Sequence, residues 1–120
     1  MNHQDIFTKA YLSLASQGFK KSVNTHDHCM YRAPNGLKCA IGHLIPDELY
    51  HPGLEERTPY GEFLTLFTVA LGIDVHLTDS DGYWLCRLQS CHDHSKNPEH
   101  LKRTLVDFAR EYGLETPPHV

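Results

Sequence analysis

The chain has 120 residues, of which 40% are hydrophobic and 22% charged, and a formal charge of -4. That is the balance of a soluble, one-domain globular protein able to build a core without obligatory disulfides or metal. It excludes the clustered positive face that nucleic-acid binding needs, since the only adjacent basic pairs are Lys20-Lys21 and Lys102-Arg103, and no apolar run approaches the ~20 residues of a membrane span.

Ile6, Phe7, Ala10, Tyr11 and Leu14 recur at three- and four-residue spacing and predict a helix from about Gln4 to Gln17, stopped at Gly18. Met30-Tyr31-Arg32 reads as a short strand. Ala33-Pro34-Asn35-Gly36 is a turn, because proline presets one dihedral and Asn-Gly tolerates positive φ. The start of Leu37–Ile45 is expected to return as the second strand of a hairpin. Its end, Cys39–Ile45, fits that strand or a short buried helix equally well. Pro46–Tyr50 suits one helical turn and residues 51–58 a loop.

Thr58-Pro59 should open a second long helix, with Phe63, Leu64, Phe67, Ala70 and Leu71 buried and Gly72 as its stop. Ile73–Leu77 alternates like a brief extended segment. A third helix should begin near Ser80 or Asp81, with Leu85, Leu88 and His92 on one face flanked by Trp84 and Cys91. Asn97-Pro98 opens the last helix, faced by Leu101, Leu105, Phe108, Ala109 and Tyr112 and ended by Gly113. The expected fold is α+β, mainly α: about four helices with one short β-hairpin, in a single domain over residues 1–113, with 114–120 as a flexible C-terminal tail. The opening Met-Asn-His-Gln-Asp has neither the basic nor the apolar region of a signal peptide. A cytoplasmic location and reduced cysteines are therefore expected.

The segment from Cys29 to Tyr50 holds two cysteines, an arginine, a lysine, a histidine, a tight turn and a proline stop within 22 residues, a mixture that core-building does not demand. The string Tyr31-Arg32, Gly36-x-Lys38-Cys39-Ala40-Ile41-Gly42, Leu44-Ile45-Pro46-Asp47-Glu48-x-Tyr50 resembles a family of small proteins found mainly in tailed bacteriophages. Leu88-Gln89-x-x-His92-Asp93 is similar to the C-terminal half of the same family. The likeness spans residues 29 to 113. It implies a phage context and an accessory role acting on host machinery, defence components included; it implies no established activity.

Four chemistries are open to these residues. In the first, Tyr31, Arg32, Lys38 and Asp47 form the binding surface for a host protein. Arg32 and Lys38 flank the turn and suit an anion whatever the partner; the bland reading is an Arg32–Asp47 ion pair that pins the hairpin. In the second, Cys39 is a nucleophile with His92 as base. Asp93 is poorly placed to orient His92, because adjacent helical residues point about 100° apart, and Asp47 is the alternative carboxylate. The bland counterpart is a buried His92 that donates to a backbone carbonyl and braces the hairpin.

In the third, zinc staples the chain through Cys29, Cys39, Cys91, His92 and His94. The spacings Cys29-x₉-Cys39 and Cys86-x₄-Cys91 match no standard knuckle, so no metal is assigned; His26 and His28 are further weak candidates. In the fourth, the protein sequesters a small ligand or nucleotide, with Arg32 and Lys38 as anion contacts. Asp79-Ser80-Asp81-Gly82 fails as a calcium loop, because the first and last ligands would fall on Leu77 and Leu88.

Overall fold

The computed structural model describes residues 3–23, 29–45, 47–50, 52–56 and 79–117. Among them are three α-helices: α1 (His3–Ser16), α2 (Asp79–Asp93) and α3 (Pro98–Glu111). The expected helix after Thr58 and the extended segment Ile73–Leu77 lie outside the described residues, as do His26 and His28.

Helix α1 buries all five residues of its predicted stripe. It ends in a Schellman motif: Phe19 N–H reaches back to Leu14 O (2.9 Å) and Gly18 N–H to Ala15 O (2.9 Å), which satisfies carbonyls the helix cannot. Helix α3 starts on Asn97, whose side chain accepts from His100 N–H at 2.8 Å. It ends in a second Schellman motif, Leu114 N–H to Ala109 O at 2.7 Å. Leu101, Leu105, Phe108 and Ala109 are buried, while Tyr112 is half-buried against the core. Helices α2 and α3 are tied by the Arg87–Glu111 ion pair (2.8 Å) and by Thr104 Oγ1 donating to Cys91 O (3.4 Å). Aromatic rings gather where the three helices meet: Phe108 lies 5.9 Å from Phe7 and 5.4 Å from Trp84.

The predicted hairpin is replaced by something less regular. The turn exists, with Gly36 N–H bonded to Ala33 O (3.0 Å) and Gly36 at φ +88. Beyond it the chain forms only isolated antiparallel bridges, Arg32↔Lys38 and Val23↔Cys29, and no strand occurs among the described residues. The ladder stops because Cys39–Ile45 turns helical: His43 N–H bonds to Cys39 O (3.1 Å), and in the 3-10 turn Gly42–Leu44 the Leu44 N–H bonds to Ile41 O (2.9 Å). A strand bonded along one edge would expose alternate residues, whereas Cys39, Ala40, Ile41, Leu44 and Ile45 all enter the core. Asp47–Leu49 is the expected helical turn. Pro52–Glu56, expected as a loop, is a 3-10 helix.

At the other end, Leu114 packs against the core, and Gln4 clasps the Glu115 backbone by donating to its carbonyl (2.9 Å) and accepting from its N–H (2.8 Å). The start of the expected tail is thus held to α1.

Candidate functional site

The motif residues of Cys29–Tyr50 and of Leu88–Asp93 converge. Positions 89, 92 and 93 are spaced i, i+3 and i+4, so they share one face of α2. Gln89 accepts from Ile41 N–H (3.1 Å) and donates to Asp93 Oδ1 (2.6 Å). His92, with 0% exposure, accepts at Nε2 from Ser22 N–H (2.8 Å), and its Nδ1 faces Asp93 Oδ1 at 2.9 Å. A backbone N–H can only donate, so Nε2 presents its lone pair and Nδ1 carries the proton. Ser22 extends the clasp, its hydroxyl lying 2.8 Å from Met30 O and 3.1 Å from Leu37 O.

Two expectations are corrected here. Asp93 does orient His92: it is the last residue of α2, and its Oδ1 reaches the His92 Nδ1 at 2.9 Å. His92 braces the fold by accepting from a backbone N–H, the reverse of the expected donation to a carbonyl. Burial pushes the Asp93 carboxyl up, but hydrogen bonds from His92 and Gln89 outweigh it and hold it below its ordinary range.

Three further side chains fix the same segment. Gln17 accepts from Lys38 N–H (3.1 Å) and donates to Lys38 O (2.6 Å), standing in for a strand partner. His43 Nε2 lies 2.9 Å from the same Gln17 oxygen. Glu55 accepts from Tyr31 N–H (2.7 Å), Arg32 N–H (3.1 Å) and the Tyr50 hydroxyl (2.6 Å). Sequence reasoning missed Gln17 and Glu55, since a polar residue at a helix end or in an exposed turn carries no signal that it will meet backbone donors far along the chain. Gly42 is explained by contact: a Cβ there would run into the Tyr31 carbonyl oxygen.

Cys39 is sealed in the core with 0% exposure, its Sγ accepting from Gly42 N–H at 3.2 Å. Burial pushes its thiol far above the ordinary range, more than its hydrogen bonds with Gly42, Gln89 and Ile41 lower it. The arrangement holds a protonated thiol with no exposed surface, which is poor ground for nucleophilic chemistry.

Cys29, His92 and Asp93 place one ligand atom each within 4.8 Å of one another. A metal at His92 Nδ1 would shift the ring proton to Nε2, against the Ser22 N–H. Burial and Asp93 also push the Cys29 thiol up to about 11. Cys91 turns to α3 instead, with Sγ 3.8 Å from Thr104 O, and His94 is exposed. The donor set does not fit zinc as these hydrogen bonds stand.

The charged side of the segment is more open. Arg32 donates to Ile45 O (2.7 Å), pairs with Asp47 Oδ1 (2.8 Å) and lies over the Tyr50 ring, 4.5 Å from its centroid. Its Nε is buried and, among the described residues, has no hydrogen-bond partner. Lys38 Nζ reaches the same Asp47 oxygen at 3.9 Å. Asp47 itself is 83% exposed, and Pro34, Asn35 and Gly36, just before Lys38 in sequence, are exposed as well. Tyr31 is buried at 7% and packs in the core. Burial first, then the charge of Lys38, with smaller contributions from His92 and Arg32, lowers the pKa of His43 to about 4.

Two surface hollows, of about 400 and 270 Å³, are lined by Lys96, His100 and Arg103 and by Arg87, Cys91 and Glu111 respectively. Arg32, Lys38, Cys39 and His92 line neither. No helix among the described residues is long and apolar enough to cross a membrane. No protein-family model, curated protein or solved structure matches the chain.

Proposed function

We propose that the chain is a non-catalytic accessory protein, phage-encoded as its resemblance implies, that binds a host protein through the braced loop carrying Pro34–Gly36, Lys38 and Asp47. The observation that carries this reading is the division of labour within the motif. Gln17, Glu55, Gln89 and His92 spend their polar atoms on holding irregular backbone in place. What they hold outward is a turn and a charged rim. A fixed loop loses little conformational entropy on binding, which is what a recognition surface requires. The alternative, an enzyme with Cys39 as nucleophile and His92 as base, has its thiol in a closed interior and its imidazole engaged at both nitrogens.

The test is affinity capture from a bacterial host extract with the full chain as bait. The wild type should retain a defined protein that Lys38→Ala, melting at the same temperature, does not. Retention of the same set by both, or of nothing, refutes the proposal.

A further inference from the structure

We infer that Arg32 and Lys38 form a receptor for one oxyanion group of the protein partner, an acidic side chain or a phosphorylated one, and that Asp47 is its internal placeholder. This deepens the binding reading above and rests on it. Four observations carry it. Arg32 and Lys38 come from the two arms of the turn and converge on one oxygen, Asp47 Oδ1, at 2.8 and 3.9 Å. The guanidinium is preorganised: its side chain is only 17% exposed, anchored by Ile45 O and stacked on Tyr50. An oxyanion with two or more free oxygens can take Arg32 Nη1 and Lys38 Nζ on separate oxygens, where Asp47 offers a single oxygen to both. Asp47, by contrast, is 83% exposed on a short 3-10 turn, so it can swing into water at small cost.

The neighbouring charges allow the exchange. Glu55 is committed to two backbone N–H groups and the Tyr50 hydroxyl, so it does not compete for the guanidinium tip. His43 is held neutral at pH 7 and adds no charge of its own.

The experiment titrates the ¹⁵N-labelled full chain with inorganic phosphate, and separately with acetate, at constant ionic strength. The Nε–H resonance of Arg32, assigned by its loss in folded Arg32→Lys, is the readout. In Asp47→Asn that resonance should move saturably, with a midpoint roughly three- to fivefold lower than in the wild type, the worth of one partly exposed ion pair. Lys38→Gln in the Asp47→Asn background should raise the midpoint again. Tighter phosphate than acetate identifies a phosphorylated side chain; the reverse identifies an acidic one. No saturable shift with either anion, or a midpoint indifferent to Asp47→Asn, overturns the inference. The titration needs no partner protein, so its failure leaves the capture result to judge the binding reading separately.

Discussion

At Gly42 the side chain is excluded by backbone, not by other side chains. The Tyr31 carbonyl occupies the place of a Cβ, and moving it would break the Cys39 N–H to Tyr31 O bond of 3.2 Å. Gly42→Ala should cost about 3 kcal/mol or more, the upper range for overpacking a filled core, read as a lowered urea midpoint. The thiols can be ranked at the same scale. Cys39 has no exposure, and burial pushes Cys91 up to about 11 as well. Cys39 in the native protein should therefore resist iodoacetamide at pH 7.5 and label only as the chain unfolds. Rapid native labelling of Cys39 would restore the enzymatic reading. The Gly-x-Lys-Cys-Ala-Ile-Gly string was legible as special from sequence, but its reason was not. A glycine forced by a carbonyl 11 positions away looks in sequence like any turn glycine.

Among elements, α2 does more than bury Leu85 and Leu88. Its C-terminal turn supplies Gln89, His92 and Asp93, which clamp Ile41 and Ser22. Replacing His92 by Leu keeps volume but leaves the buried Ser22 N–H without its acceptor, while Asp93 keeps Gln89 as a donor. The expected loss is about 1–3 kcal/mol, the range for stranding one buried polar group. Hydrogen exchange localises it: the Ser22 amide should lose protection while amides in the middle of α3 keep theirs, relative to each variant's global stability. The helices were readable from their apolar periods, reinforced by the Gly18 stop of α1 and, in α3, by both the Asn97-Pro98 start and the Gly113 stop. The hairpin was misread for a local reason. Asn-Gly turn chemistry is strong, but it specifies the turn alone, and the burial of Cys39–Ile45 then diverts the returning arm into a helical turn.

On the scale of the whole molecule, stability should fall with acid. His43 titrates at about 4 in the fold against ~6.5 unfolded, so between those values the unfolded chain binds more protons and the folded state loses ground as pH drops. The stabilisation is complete above pH 6.5 and fades toward pH 4. Its size, discounted for the partial exposure of the ring, is about 1–2 kcal/mol. Asp93, held below its ordinary range, acts in the same direction at lower pH still. Urea midpoints at pH 7 and pH 5 should differ in the wild type, and His43→Gln should shrink the difference. At the molecule's edge, Gln4→Ala should free Glu115 and raise exchange at its amide, with a global cost of about 1 kcal/mol or less.

Helix positions and their buried stripes follow from the order of residues alone, because a 3.6-residue period needs no knowledge of what lies opposite. The same order marks Cys29–Tyr50 and Leu88–Asp93 as unusual. The Arg32–Asp47 pair was open to the sequence as one alternative, but the other partners belong to the tertiary structure: Asp93 with His92, Gln17 with the Lys38 backbone, Glu55 with Tyr31 and Arg32. Hydrogen bonds and ion pairs are short-ranged and directional, so they are chosen only once packing has brought distant stretches within about 3 Å.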